Sequence, residues 1–125
     1  LNLGLQGTIF TATSTTAENQ TLSYPNYLHS IPNNNDNMDI VSMGANSAQF
    51  AMKVIENTFE VLAIEAMCII QAIEILGIQD KLSSTTKKYY EAINEIAPTF
   101  VEDKPQYKNI LAVKNNLKSH KVEIS

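Results

Sequence analysis

The sequence of 125 residues contains no arginine, and all nine of its basic residues are lysines. A site built from this chain alone therefore lacks the planar guanidinium group that binds carboxylates and phosphates through two parallel hydrogen bonds. A codon-biased genome is the simpler explanation, since lysine, asparagine and isoleucine are all plentiful, but the chemical consequence is the same. The net charge of −4 offers no electrostatic attraction for nucleic acid or an anionic membrane, so we expect neither as a partner.

Cysteine and histidine are also scarce. Cys68 is the only cysteine, so no disulfide can form within the chain, and a reducing cytoplasm is the simplest location. Cys68 lies in an apolar run, where a cysteine is more often a core residue than a nucleophile. His29 and His120 are far apart and have no cysteine partner, so no metal-site spacing is present. Glycine-rich phosphate loops, a Gly-x-Ser-x-Gly motif and a signal peptide are likewise missing from the sequence.

The longest stretch without proline or glycine lies between Gly44 and Gly77, and it predicts a helix over residues 44–76. Gly77 is a natural residue for ending that helix. In the first half, apolar residues at helical spacing predict one apolar side, and the polar residues are expected elsewhere. The apolar side includes Phe50, Val54, Ile55 and Leu62, and the polar set comprises Lys53, Glu56, Asn57 and Glu60.

The second half of this helix, residues 61–76, is apolar almost all round, and only Glu65, Gln71 and Glu74 interrupt it. Such a helix is typical of a large core or a membrane, and the two carboxylates disfavour a membrane span. A chain of this length cannot easily surround it. Burial of apolar surface stabilises a fold by roughly 25 cal/mol per Å², so leaving one side of this helix in water would lower the stability by several kcal/mol. We therefore expect its neighbours to come from the remainder of a longer chain, from other subunits, or from both.

The other segments complete an all-α prediction. The β-branched run over residues 8–16 favours a strand by propensity, but apolar and small residues at roughly helical spacing also allow a helix. Two prolines and an Asn/Asp cluster predict a loop over residues 25–43. Two peripheral helices are predicted over residues 83–97, with Ser83 or Ser84 as the cap, and over residues 105–119.

The loop and the residues before it carry the most specific motifs. In chain order they are Ala17-Glu18-Asn19, Pro25, Ser30-Ile31-Pro32 and Asp39-Ile40-Val41-Ser42-Met43-Gly44. Together they closely resemble the C-terminal part of the histidine and aromatic amino-acid ammonia-lyases, without a gap from residue 17 to 44 and more loosely to residue 76. The resemblance implies an all-α homotetramer with a large central helix bundle and active sites shared between subunits. It also favours the helical interpretation of residues 1–24, and residues 1–125 would then be a single C-terminal helical segment of that bundle.

The resemblance further implies elimination of ammonia from histidine or an aromatic amino acid, with a methylidene-imidazolone electrophile made from the enzyme's own Ala-Ser-Gly. This chain contains no Ala-Ser-Gly, no arginine for the substrate carboxylate and no tyrosine that matches the base motif. We expect it to supply one wall of the active site and part of the oligomer core, and to be inactive alone, with the missing parts before Leu1. An aminomutase of the same family and a non-catalytic helical assembly module are the alternatives.

Glu18 is the candidate catalytic residue. It is an isolated carboxylate in a segment without other charges, so we expect it to be partly desolvated and suited to proton transfer. An ordinary glutamate on a helix surface is the alternative. The resemblance places Glu18 in the active site, where the matching residue contacts the amino group or imidazole of the substrate.

The loop supplies the remaining candidates. Asn37 and Met38 are expected to bind substrate, but Met38 stands where the lyases usually carry glutamine or glutamate, and a thioether cannot form the hydrogen bonds of those groups. This departure affects either the substrate class or the activity. Asp39, Ser42 and Gly44 are expected to organise the loop and the start of the following helix, with Gly44 allowing a close backbone approach.

Overall fold

The computed structural model describes residues 3–29, 31–35, 37–38 and 41–119, and these residues form an all-α structure. Its four helices are α1 (Gln6–Leu22), α2 (Gly44–Leu76), α3 (Ser84–Ile96) and α4 (Tyr107–Ser119). Short 3₁₀ turns follow α1 at Asn26–His29 and α2 at Gln79–Lys81. Within the described ranges no strand forms, and the only pairing of β type is an isolated bridge between Asn33 and Met38.

Helix α1 forms despite its β-branched composition. Its threonine hydroxyls donate back to carbonyls one turn earlier, as Thr13 does to Ile9 at 3.0 Å and Thr16 to Ala12 at 2.8 Å. Such bonds satisfy the hydroxyls without strengthening the helix. Contact along α2 therefore overrides the local propensity for a strand, and the helical interpretation favoured by the resemblance is correct.

Helix α2 is the axis of the structure, and its 33 residues extend for about 50 Å at 1.5 Å per residue. It begins at Gly44 and ends at Leu76, the bounds predicted from the sequence. Gly77 adopts a left-handed conformation with φ of 61°, and the following amide of Ile78 donates to the carbonyl of Ile73 at 3.3 Å. This arrangement satisfies the last free carbonyls of the helix and stops it.

The core lies where one side of α2 meets α3 and α4. Its buried members are Ala63, Met67 and Ile70 of α2, Ile93 of α3, Ala97 directly after α3, and Val113 of α4. Ser83 caps α3 by accepting a hydrogen bond from the amide of Thr86 at 3.1 Å. This small core fixes α3 and α4 on one side of α2 and leaves its opposite side uncovered by the described residues.

The uncovered side of α2 is a stripe of large apolar residues, which we call the α2 stripe. Its members stand seven residues apart, and they are Ile55 (54% exposed), Leu62 (42%), Ile69 (51%) and Leu76 (67%). The sequence grouped Ile55 and Leu62 with Val54 on one apolar side, whereas the structure half-buries Val54 and leaves those two exposed. None of the helices that the structure describes combines the length and apolar character needed to cross a membrane.

The charged residues of α2 and α4 form a second contact between the helices. Lys114 lies 3.5 Å from Glu56 and 3.7 Å from Glu60, and Lys118 also pairs with Glu56. On the other side of the pair, the hydroxyl of Thr15 in α1 donates to Glu60 at 3.3 Å. The network joins α1, α2 and α4 along the first half of the long helix.

Candidate active-site wall

Glu18 lies near the C-terminal end of α1, on the side that faces α2. Its Oε2 accepts a hydrogen bond from Nδ2 of Asn57 at 2.6 Å, and Nζ of Lys53 lies 3.7 Å from the same oxygen. The side chain is 50% exposed. The described residues therefore cover one side of Glu18 and leave the other open, and the expected role of its carboxylate in the reaction stays a prediction.

Asn57 is the residue of this region that the sequence analysis missed. It was assigned to the polar side of α2, yet it is only 5% exposed. Its Nδ2 donates both to Glu18 and to Oδ1 of the neighbouring Asn19, the latter at 2.9 Å. Asn57 stands seven residues before Ile64, which is also buried, so the two lie on the same face of the helix. The sequence pattern alone did not indicate that this face is covered.

The loop closes on itself around Asn33 and Met38. Their backbone groups exchange two hydrogen bonds, of 2.8 Å and 3.1 Å, across a turn in which Asn34 and Asn35 have positive φ angles. Asparagine tolerates this left-handed region better than most residues, so the Asn-rich composition fits the turn. The turn exposes Asn37 and leaves Met38 55% exposed, and both side chains are thus accessible from outside the chain.

The start of α2 differs from the sequence expectation in one respect. Met43, rather than a glycine, adopts the left-handed conformation, with φ of 52°, and its carbonyl accepts a bond from the amide of Ser47 at 3.0 Å. A Cβ on Gly44 would meet only Oγ of Ser42, at 3.7 Å, which is an ordinary contact. The close backbone approach expected at Gly44 is therefore absent from the described part of the chain. Asp39 lies outside the described residues.

An open cleft of about 450 Å³ lies beside this start of α2. Ser42 lines it, together with the aromatic rings of Tyr24, Tyr27 and Phe50. Asn26 crosses the same region and donates from Nδ2 to Oγ of Ser47 at 3.3 Å, which ties the segment after α1 to α2. The cleft brings Ser42 together with aromatic side chains, but Glu18, Asn37, Met38 and Gly44 are not among the residues that line it.

Two titratable side chains of the described residues, Cys68 and Glu56, have shifted pKa values. Burial, with a smaller effect from the charge of Glu65, raises the pKa of the Cys68 thiol, which keeps the thiol protonated and unreactive. The pKa of Glu56 lies below its ordinary value, mainly because Lys118 donates a hydrogen bond to it. The charge of Lys118 and the hydrogen bond and charge of Lys114 lower this pKa further, whereas burial raises it by less than the hydrogen bond from Lys118 lowers it. No group of three His, Cys, Asp or Glu residues able to hold a metal ion occurs within the described ranges.

Comparison with known proteins gives the context of this wall. The family model described as aromatic amino acid lyase matches residues 1–95. The chain is 39% identical over 109 residues to histidine ammonia-lyase of Macrococcus caseolyticus, covering 87% of this chain and 22% of that protein. It is 40% identical over 104 residues to MIO-dependent tyrosine 2,3-aminomutase of Streptomyces globisporus, covering 83% of this chain and 19% of that protein.

Solved structures agree with these matches. The crystal structure of tyrosine aminomutase from Streptomyces globisporus superposes with a TM-score of 0.88 and 38% identity, over 94% of this chain and 22% of that one. Histidine ammonia-lyase from Trypanosoma cruzi gives a TM-score of 0.85 at 30% identity, over 95% of this chain and 23% of that one. The chain thus spans about a fifth of the length of the relatives it matches. With its motifs, its all-α fold and these matches in agreement, the chain belongs to the aromatic amino acid lyase family.

Proposed function

We propose that this chain is the C-terminal part of an ammonia-lyase that eliminates ammonia from histidine or an aromatic amino acid. The observation that carries the proposal is the 39% identity to a histidine ammonia-lyase over 109 residues, a stretch that makes up 22% of that enzyme. Further histidine ammonia-lyases match at similar identity, among them that of Geobacillus sp. at 38% over 109 residues.

In this proposal the segment supplies one wall of the active site. Glu18 contacts the amino group or the side chain of the substrate, and Asn37 and Met38 contribute from the loop. The exposure of these three side chains supports the assignment, because a wall completed by other polypeptide must present its functional groups outward. Asp39, Ser42 and Gly44 organise the loop and the start of α2.

The electrophile of the family does not fit the residues of this chain. No Ala-Ser-Gly occurs in the sequence from which a methylidene-imidazolone could form, and no arginine is available for the substrate carboxylate. We therefore propose that these groups come from other parts of the enzyme and that the segment is inactive alone. Purified chain incubated with histidine, phenylalanine and tyrosine should give no arylacrylate absorbance, whereas the full-length enzyme should release ammonia from one of them.

The α2 stripe supports a second part of the proposal, which concerns assembly. Seven-residue spacing of exposed apolar residues is the pattern by which one helix packs along another. We propose that this stripe is covered by the remainder of a longer chain and by other subunits of a homotetramer. We also propose that the enzyme is cytoplasmic. Light scattering of the full-length enzyme during size-exclusion chromatography should give the mass of four subunits, and a monomeric mass would contradict the proposal.

An aminomutase is the second candidate, favoured by the 40% identity and the TM-score of 0.88 to the Streptomyces enzyme. A lyase and a mutase differ in whether the amino group is returned to the β-carbon. Chromatographic analysis of the products of the full-length enzyme separates the two: an arylacrylate with ammonia indicates a lyase, and a β-amino acid indicates a mutase. Absence of both products would favour the non-catalytic assembly module.

A further inference from the structure

The side-chain amide of Asn57 is buried between α1 and α2, and it bonds two successive residues of α1. One contact reaches Oε2 of Glu18 at 2.6 Å, and the other reaches Oδ1 of Asn19 at 2.9 Å. Because Nδ2 carries two hydrogens, each contact can use one of them. The amide is therefore fixed from two sides, and it in turn restrains the side chain of Glu18.

This restraint acts on one oxygen of the Glu18 carboxylate. Asn57 and Lys53 both approach Oε2, whereas Oε1 accepts no hydrogen bond from the residues that the structure describes. The contact with Lys53 joins two half-exposed side chains at 3.7 Å and is screened by water, so it orients the carboxylate weakly. The short bond from the buried amide of Asn57 to Oε2 is the stronger of the two.

We propose that Asn57 is a positioning residue, which holds Oε2 of Glu18 so that Oε1 faces outward toward the substrate. The inference rests on the proposed function, in which Glu18 contacts the substrate. A glutamate side chain has three rotatable bonds, and without Asn57 the carboxylate of Glu18 would sample several orientations. Asn57 thus acts on the reaction through Glu18, and it does not itself touch the substrate.

The test uses the full-length enzyme and four variants: Asn57→Leu, Glu18→Gln, the double variant of these, and Gln71→Leu as a control. Leucine has the same number of side-chain heavy atoms and the same branching as asparagine, but it cannot donate a hydrogen bond. Gln71 lies on the same helix, fourteen residues from Asn57, and its amide exchanges hydrogen bonds with the backbone of Phe100 at 3.2 Å. The control therefore removes another hydrogen-bonded side-chain amide of α2, at a distance from Glu18.

We expect Asn57→Leu to lower kcat by about tenfold to a hundredfold, with KM changed by less than about threefold, because misplacement of a reacting group by about 1 Å costs up to a hundredfold. In the Glu18→Gln background the same change should have little further effect on kcat, since the carboxylate that Asn57 orients is gone. Gln71→Leu should leave kcat within about twofold, whatever it does to the melting temperature.

Three other results would overturn the inference, and a fourth would refute the proposed function. Wild-type kcat in the folded Asn57→Leu enzyme would overturn the inference, and so would losses in Asn57→Leu and Glu18→Gln that multiply in the double variant. Lower melting temperatures of both single variants without a change in kcat would show that the Asn57–Glu18 contact only joins α1 to α2, which also overturns it. A full-length wild-type enzyme that consumes no amino acid would instead refute the proposed function.

Discussion

Two neighbouring isoleucines of α2 provide a direct test of how this chain divides its apolar surface. Ile69 belongs to the α2 stripe and is 51% exposed, whereas Ile70 is 4% exposed in the core with α3 and α4. The two residues have identical side chains and lie next to each other in the same helix, but their side chains point in different directions. Substituting each by alanine therefore compares the two sides of α2 with a minimum of other changes.

The expected magnitudes differ by severalfold. Ile70→Ala removes a buried side chain and leaves a cavity, which typically costs 2–5 kcal/mol of unfolding free energy. Full burial of an isoleucine contributes about 1.5–3 kcal/mol, and Ile69 leaves half of its surface uncovered, so Ile69→Ala should cost about 1 kcal/mol or less. Alanine also has the higher helix propensity, which offsets part of that loss at an exposed site.

Urea unfolding of the 125-residue chain, followed by circular dichroism at two protein concentrations, measures both effects. At low concentration Ile70→Ala should shift the midpoint strongly and Ile69→Ala only slightly. Sedimentation velocity at high concentration should show that Ile69→Lys reduces self-association, because a charge would then lie within the α2 stripe. Equal losses of stability for the two alanine variants in dilute solution would refute the assignment of Ile69 to an uncovered surface.

Three further predictions concern local contacts. The pKa of Glu56 is lowered in the folded chain, so its contribution to stability is present above the ordinary pKa of 4.5 and is lost as the pH falls through the lower folded-state value. Over that acidic range, the melting temperature of the wild type should therefore fall more steeply than the melting temperature of Glu56→Gln. The raised pKa of Cys68 should make its alkylation by iodoacetamide at neutral pH slower than that of a free thiol, as followed by mass spectrometry, and equal rates would contradict its burial. Gly77→Ala places a Cβ on a residue with φ of 61° and should cost about 1 kcal/mol in urea unfolding, whereas Gly7→Ala, within a helix and with open space around it, should not destabilise the chain.

The side chain of Glu18 is half-exposed among the described residues. Its carboxylate is held on one side by Asn57 and faces outward on the other. The same holds for the α2 stripe, whose large side chains have no cover within the described ranges. In the proposed function, both surfaces face other parts of a larger enzyme.

The sequence by itself determined the features that depend on local chemistry. The absence of proline and glycine between Gly44 and Gly77 defined α2, because these residues interrupt helices wherever they occur. The order of motifs around the loop was sufficient for the family resemblance. Local propensity alone could not assign α1, since its threonines favour a strand and only contact with α2 makes the helix preferable.

Tertiary structure decided which face of each helix is covered. Asn57 is buried because α1 packs along α2 there, and Glu18 and Asn19 satisfy its amide. Hydrophobic periodicity, in contrast, treats any asparagine as a surface residue. Ile55 and Leu62 are exposed because α3 and α4 pack on another side of α2. When a helix is apolar on every side, its sequence does not indicate which side a neighbouring helix covers. The exposed stripe can therefore be identified only from the positions of the other helices.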